Sequence, residues 1–466
     1  MTDVDVIVLG SGFAGLRAAV AASATGASVL VVEAQGELGG RSRFSWANIM
    51  GAGTRFQAEQ GIQDSAEAMY EQYMRLNAFR LDASVAWALC AGTGPEIEWL
   101  ADNGAEIRGV VPNESFEVPR IHRTGGGQQL IDLLLRLARA QGVDFALNHR
   151  VDRLLVEDGR VTGIEAAGQT LTAKAVVLAT GGMGGNTELI REWMPELAAL
   201  AGDWVLPVGG DELAPYAQGD AVPLSSAVGA QITGRNYYEA TIRPGYVQVS
   251  NPALPGHLLM VDATGRRFVD ETAGIAAMHG AFNAAVAPVY AIFDEGAKTS
   301  YKPTGEKTPE GKQKRRLHPD WVEDVVDSMV ENQHFVKAQS LEELSELLGI
   351  PTNHLIATIN QYNADTDIGL DSVQLKDAAV MRAVSAGPFY ATEIRLSSIG
   401  FTGAGPRVNA QGAVLDTKHQ VIPGLFAGGE CAGGLAGPMS IGGNPTATCF
   451  VFGRIAGESA AAFAQR

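Results

Sequence analysis

Residues 4–15 read VDVIVLGSGFAG, an apolar run that ends in three glycines at the spacing GxGxxG. The run predicts a buried strand, and the glycines predict the turn that follows it. Gly10 permits the tight exit, Gly12 lets backbone approach a pyrophosphate, and Gly15 lets the next helix pack closely on the sheet. The N-terminus of that helix, with Phe13 and Ala14 in its first turn, then faces the phosphates. A second strand-like run, Ser28 to Val32, ends at Glu33, which lies 23 residues past Gly10. That is close to the roughly 20-residue offset expected of an acid that binds ribose hydroxyls.

The rest of the chain decides which dinucleotide this opening serves. Gly39-Gly40-Arg41-Ser42 follows, then a long helical stretch from Asp64 to Gly104, where a nicotinamide enzyme usually continues with a second αβ half. Two further strand-plus-glycine segments come much later, one at 174–182 and one at 421–430, the second ending in Glu430. A discontinuous site of this kind suits FAD, whose length needs contacts from several strand ends of one sheet.

The fold class expected is therefore α/β: a discontinuous Rossmann-like FAD-binding domain with an inserted α+β capping domain. The first part runs over 1–240 and includes a hairpin, Val151 to Val156 with Val161 to Glu165. The insertion occupies 241–397, and 398–466 completes the FAD-binding domain with a final helix from Thr446 to Ala464. Within the insertion, 302–319 reads as a polar surface loop, and Leu341 to Ile350 and His354 to Asn363 show helical spacing. An insertion able to swing over the flavin would exclude water, as lids do.

Bulk properties narrow the partners. The 466 residues carry a net charge of −17, which argues against nucleic acid and against an anionic membrane. No apolar run reaches the roughly 18–20 residues needed to cross a bilayer. Neither a secretory signal nor a CxxC pair is visible, so Cys90, Cys431 and Cys449 fit a reducing cytoplasm. The eight histidines lack metal-ligand spacing, and no metal is expected.

Assembled, the chain resembles the FAD-dependent oxidoreductase family that includes fumarate reductase and succinate dehydrogenase flavoproteins, urocanate reductase and 3-ketosteroid dehydrogenases. The supports are GSGFAG at 10–15, Glu33, GGRS at 39–42, HRTGGG at 122–127, ATGG at 179–182, GRRFVDE at 265–271, GPFYA at 387–391, GLFAGGE at 424–430 and IGGN at 441–444. The cofactor set is Gly10, Gly12, Phe13, Ala14, Gly15, Glu33, Ala34, Gly39, Gly40, Arg41, Ser42, Val151, Ala179, Thr180, Gly181, Gly429, Glu430, Gly443, Asn444 and Pro445. Ser42 to Trp46 contains no histidine, so the FAD is expected to be non-covalent.

The resemblance also shows departures. The arginine that grips a carboxylate in the fumarate-reducing branch is replaced by Ser440. The branch's histidine is missing from 397–402, and its catalytic arginine aligns with Lys298, while its proton-relay glutamate matches Glu271. A buried dicarboxylate would lack partners. The resemblance to the ketosteroid branch instead implies hydride exchange between a substrate β-carbon and flavin N5, with a tyrosine moving the α-proton. Neutral donors near Ser440 and Gly443 would hold the ketone oxygen.

Tyr301, Tyr390, Tyr238 and Tyr237 are the candidate acid/base groups. A rival reading is a reductase of an unsaturated acid, with Arg243, Arg407 or Lys298 as replacement anchors. A third is a non-catalytic flavin-binding electron carrier. With no CxxCH for haem, an external electron acceptor or donor is needed. His122 is read as ordering its loop, and Asn444 as a cap of the last helix.

Overall fold

The computed structural model describes residues 4–113, 115–207, 210–244, 255–300, 321–437 and 441–466. The chain divides into two compact units: Met1–Pro195 with Leu213–Glu239 and Phe401–Arg466, and Glu196–Glu212 with Ala240–Gly400.

In the first unit, the strand Val4–Leu9 is central because from Val6 onward its side chains are apolar on both faces; Val6 through Leu9 are fully buried. Such two-sided burial belongs to parallel sheets covered by helices. Its neighbours are Val29–Val32 on one side and Gln169–Leu178 on the other, both parallel to it. Asp144–Ala146 extends the first edge, and Val421–Ala427 and then Ala413–Leu415 extend the second. The hairpin forms as Val151–Glu157 against Arg160–Ala166, antiparallel.

The first helix, Phe13–Ser23, packs on the last, Asn444–Ala464, at backbone distance. A Cβ on Gly453 would lie 2.6 Å from the Ala14 carbonyl, and one on Gly457 would lie 2.2 Å from that of Ala18. Asn444 is the first residue of this last helix, and Gly443, in the left-handed region at φ +80°, precedes it. The cap expected of Asn444 is thus a turn residue with no side chain.

The stretch 64–104 is not one helix. It forms Ala66–Leu76 and Ala83–Asp102, broken where Ala78 and Phe79 take positive φ (+49° and +56°). The Asp82 carboxylate starts the second helix by accepting from the Ser84 and Val85 amides at 3.0 and 3.4 Å. Helical spacing of apolar residues runs through the break, and only the backbone reveals it.

In the second unit, residues 389–400 of the strand Phe389–Thr402 form the hub. Val289–Asp294 pairs antiparallel with it along one edge, and Leu206–Pro207 and Val336–Ala338 also pair with it. Alternation sends Ile292 and Ala391 into a core with Leu344, Leu355, Ile359 and Tyr362, from helices Leu341–Leu348 and Thr352–Ile368. Phe293 and Tyr390 point to the other face, where Trp321 and Phe335 pack edge-on to Phe293. The expected loop at 302–319 lies outside the described residues.

Candidate active site

The glycine turn works as its spacing demands. Gly10 sits at φ +97°, and a side chain there would lie 2.4 Å from the Ala179 carbonyl oxygen. One on Gly15 would lie 1.9 Å from the Gly10 carbonyl oxygen, so strand, turn and helix close only with glycine at both places. At Gly12 the nearest atom to such a Cβ is the Ser42 hydroxyl, at 3.2 Å. That hydroxyl accepts from the Phe13 amide at 3.1 Å, so Ser42 joins the GGRS segment to the helix N-terminus.

Around this turn lies a cleft of about 900 Å3, open solvent at its mouth included. Its lining draws together residues far apart in sequence: Gly10, Gly12, Phe13 and Ala14; Glu33 and Ala34; Gly40, Arg41 and Ser42; Val151; Ala179, Thr180 and Gly181; and Glu430. Gly15, Gly39, Gly429, Gly443, Asn444 and Pro445 do not line it. Gly39 and Gly429 take positive φ, and Gly429 leaves room for Ala14, 2.5 Å from where its Cβ would be. The lining also includes Gln35, His149, Tyr216 and Gln218, which no motif marks.

Two of the acids that line the cleft, Glu33 and Glu430, are held differently. Glu33 is buried; one carboxylate oxygen accepts from the Ser11 amide at 3.0 Å and the Ser11 hydroxyl at 2.6 Å, and the other accepts from the Gln35 amide at 2.9 Å. A carboxylate offers about four lone-pair sites, so one remains for a ligand hydroxyl. Glu430 accepts at one oxygen from the Thr402 amide at 3.1 Å and the Thr402 hydroxyl at 3.2 Å. Burial raises its pKa, against the pull of the nearby Arg41 guanidinium. A side chain at Gly182 would lie 1.9 Å from that same Glu430 oxygen, which accounts for the second glycine of ATGG.

His122 is fully buried, between the Thr54 hydroxyl at 2.7 Å and the Arg120 carbonyl at 3.1 Å. Arg120 itself makes a two-pronged ion pair with Asp64, both contacts at 2.7 Å.

The described candidates of the second unit are engaged within the protein. Glu271 accepts four bonds: two from Arg267 at 2.9 Å, one from the Lys376 ammonium at 3.0 Å and one from the Met260 amide at 2.9 Å. Arg267 also reaches Asp371 at 2.7 Å. Lys298 is buried and ion-paired with Asp327 at 2.6 Å and Glu295 at 3.4 Å. Tyr390 is fully buried, stacked on Phe293 at 5.4 Å, and its hydroxyl donates to Glu295. Burial, the largest influence, pushes that phenol up to about 12.

Arg243 donates to the Trp204 carbonyl and, at 3.3 Å, to the Ser397 hydroxyl. Arg407, in the first unit, pairs with Asp82 at 3.5 Å. Tyr238 is buried. Tyr301 and Ser440 lie outside the described residues. Among the described residues no group of His, Cys, Asp and Glu side chains could hold a metal ion, and no helix is long and apolar enough to cross a membrane.

Comparison with known proteins adds the following. The family of FAD binding domains matches residues 5–446. The NADH:fumarate oxidoreductase of Klebsiella pneumoniae (strain 342) is 29% identical over 478 residues, covering 98% of this chain and 47% of that protein. The chain thus spans about half the length of this relative. The probable fumarate reductase Ifc3 of Shewanella frigidimarina (strain NCIMB 400) is 30% identical over 481 residues, covering 98% of this chain and 74% of that protein. Among solved structures, the 3-ketosteroid-delta4-(5alpha)-dehydrogenase from Rhodococcus jostii RHA1, in complex with 4-androstene-3,17-dione, is similar with a TM-score of 0.75 and 27% identity, covering 98% of this chain and 97% of that one.

Proposed function

Because the chain belongs to the FAD-binding domain family and is an FAD-dependent oxidoreductase related to the fumarate reductases, we propose that it acts on a neutral cyclic ketone. The reaction is removal, or addition, of hydrogen across the α,β carbon–carbon bond of a substrate resembling a 3-ketosteroid.

One observation carries the choice of a neutral substrate. The three cations weighed as replacement anchors for a carboxylate are each engaged by the protein: Lys298 by Asp327 and Glu295, Arg407 by Asp82, and Arg243 by the Trp204 carbonyl and Ser397. Freeing one of them would leave a protein acceptor without its partner, which is costly where the group is buried. A ketone oxygen asks only for neutral donors. The similar structure that holds 4-androstene-3,17-dione supports the same substrate class.

FAD, when bound, supplies the hydride chemistry at its N5. The chain's own residues bind and orient it. Gly10, Gly12 and the N-terminus of the Phe13–Ser23 helix would hold the pyrophosphate. Glu33 would take a ribose hydroxyl on its remaining lone pair, and Arg41, Thr180, Gly181 and Glu430, which line the same cleft, would hold other parts of the cofactor. The electrons pass to or from an external carrier.

The test is anaerobic mixing of the oxidised holoprotein with a panel of saturated cyclic ketones and steroids, and of the dye-reduced protein with fumarate and urocanate. Flavin absorbance is followed at about 450 nm, where bound flavins absorb. Bleaching by a ketone is expected. Reoxidation by an unsaturated acid alone, with no ketone active, overturns the proposal in favour of an acid reductase.

A further inference from the structure

The break between the helices Ala66–Leu76 and Ala83–Asp102 carries a residue that no motif marks. Ala78 and Phe79 hold the left-handed backbone there, a conformation that residues with a Cβ avoid and that tends to persist at functional sites. The loop sets the Arg80 guanidinium 5.7 Å from the centre of the Tyr237 ring. Neither the Arg80 side chain nor the Tyr237 hydroxyl makes a hydrogen bond or ion pair among the described residues.

The backbone of Tyr237, in contrast, is fully committed. Its carbonyl accepts from the Gly403 amide at 2.6 Å, and its amide donates to the Gly234 carbonyl at 3.0 Å. Two glycines make this approach possible. A Cβ on Gly403 would lie 2.8 Å from that of Tyr237, and one on Gly234 would lie 2.0 Å from the Gly403 carbonyl oxygen. The residue before Gly403 is Thr402, whose amide and hydroxyl bind Glu430 on the cleft wall. Tyr237 is therefore pinned through its main chain beside the cofactor cleft, half-buried, with its phenol uncommitted. Tyr390 and Tyr73 differ, since their hydroxyls donate to Glu295 and to the Leu435 carbonyl.

On the ketone reading given above, we propose that Tyr237 exchanges the substrate α-proton and that Arg80 is its positioning residue. As base, the Tyr237 phenolate takes the proton: the α C–H bond breaks, an O–H bond forms on the tyrosine, and the electron pair stays on the substrate as an enolate. The proton then passes to solvent. A guanidinium 5.7 Å from the ring centre fixes the ring plane.

The proton half can be read apart from the hydride half. Oxidised holoenzyme and a ketone that bleaches it are incubated in D2O, and deuterium at the α-carbon is followed by NMR. Tyr237→Phe is expected to keep its FAD and to exchange about 100-fold more slowly, the lower end of general-base contributions. Arg80→Met is expected to lower the exchange rate about tenfold at unchanged ketone KM, and Arg80→Lys to restore most of it.

Exchange by FAD-replete Tyr237→Phe at the wild-type rate overturns the assignment while leaving the ketone reading standing. Equal rates for Arg80→Met and wild type overturn the role of Arg80, and do so even if Tyr237→Phe fails to fold. If wild-type enzyme neither exchanges nor bleaches with any ketone, the substrate reading falls and takes this proposal with it.

Discussion

Lys376 brings its ammonium to 3.0 Å from the Glu271 carboxylate, with both side chains shut off from solvent. The ammonium spends its other protons on the Leu258 carbonyl at 2.9 Å and the Tyr362 hydroxyl at 3.4 Å. With Arg267 and Asp371 the cluster holds two cations and two anions, so the charges balance where water cannot screen them.

Removing one member should leave a buried charge uncompensated. Lys376→Met is expected to cost about 3–5 kcal/mol, the usual penalty for breaking a buried pair from one side. Urea unfolding measures it, and a loss below about 1 kcal/mol would contradict the assigned packing. Glu271 has four donors on its roughly four lone-pair sites. Glu271→Gln is therefore expected to lower the unfolding midpoint markedly before it changes any proton-transfer rate.

Acid should weaken the first unit through His122. Burial is the main cause that pushes its imidazole down to about 4, with the Arg120 carbonyl pulling the other way. At neutral pH both folded and unfolded states hold the ring neutral. As the pH falls through the unfolded value of about 6.5, only the unfolded chain takes the proton, and stability drops until the folded ring titrates near 4. The loss is about 2 kcal/mol by pH ~5. His122→Gln should show a correspondingly flatter dependence in unfolding midpoints compared at pH ~7.5 and ~5, and parallel slopes would count against this reading.

Flavin affinity should respond to Glu33. Glu33→Gln replaces the charged acceptor proposed for the ribose hydroxyls with a neutral amide that also competes with the Ser11 and Gln35 donors. A hydrogen bond to a charged group contributes about 1.5–3 kcal/mol, so the Kd for FAD is expected to rise about 10- to 100-fold. Titration of deflavinated protein by flavin fluorescence checks it; an unchanged Kd would remove Glu33 from the site.

Tyr390 should prove dispensable for turnover. Its hydroxyl is bound to Glu295 and its ring is closed in against Phe293. Tyr390→Phe is expected to turn over within about twofold of wild type and to lose about 1 kcal/mol of stability, the contribution of one hydrogen bond. Steady-state turnover of the FAD-replete variant checks it. A fall in turnover as large as the one expected of Tyr237→Phe would move the acid/base role from Tyr237 to Tyr390.

Glycine made the cofactor half of the molecule legible. Gly10, Gly15 and Gly182 each stand where a Cβ would collide with backbone or with Glu430, so the sequence must show them at fixed spacing. The residues that finish the cleft, Tyr216 and Gln218, arrive on a connecting segment whose contact depends on the fold around it rather than on a local pattern. Lys298 shows the limit of alignment: its position along the chain matches a catalytic arginine, yet Asp327, 29 residues further on, claims its charge. The break at Ala78 and Phe79 was hidden because neither residue type announces a left-handed backbone.

The fit of Gly453 and Gly457 against Ala14 and Ala18 also bears on how the protein is made. The helix at Phe13–Ser23 leaves the ribosome roughly 420 residues ahead of its partner, Asn444–Ala464. At roughly 5–20 residues per second of synthesis, the alanine-rich face of the early helix stays without its partner for tens of seconds. A chaperone that shields nascent apolar surface would have its longest task at this helix, and a ribosome stalled before Asn444 would release a chain whose nucleotide turn is complete in sequence and unsupported in space.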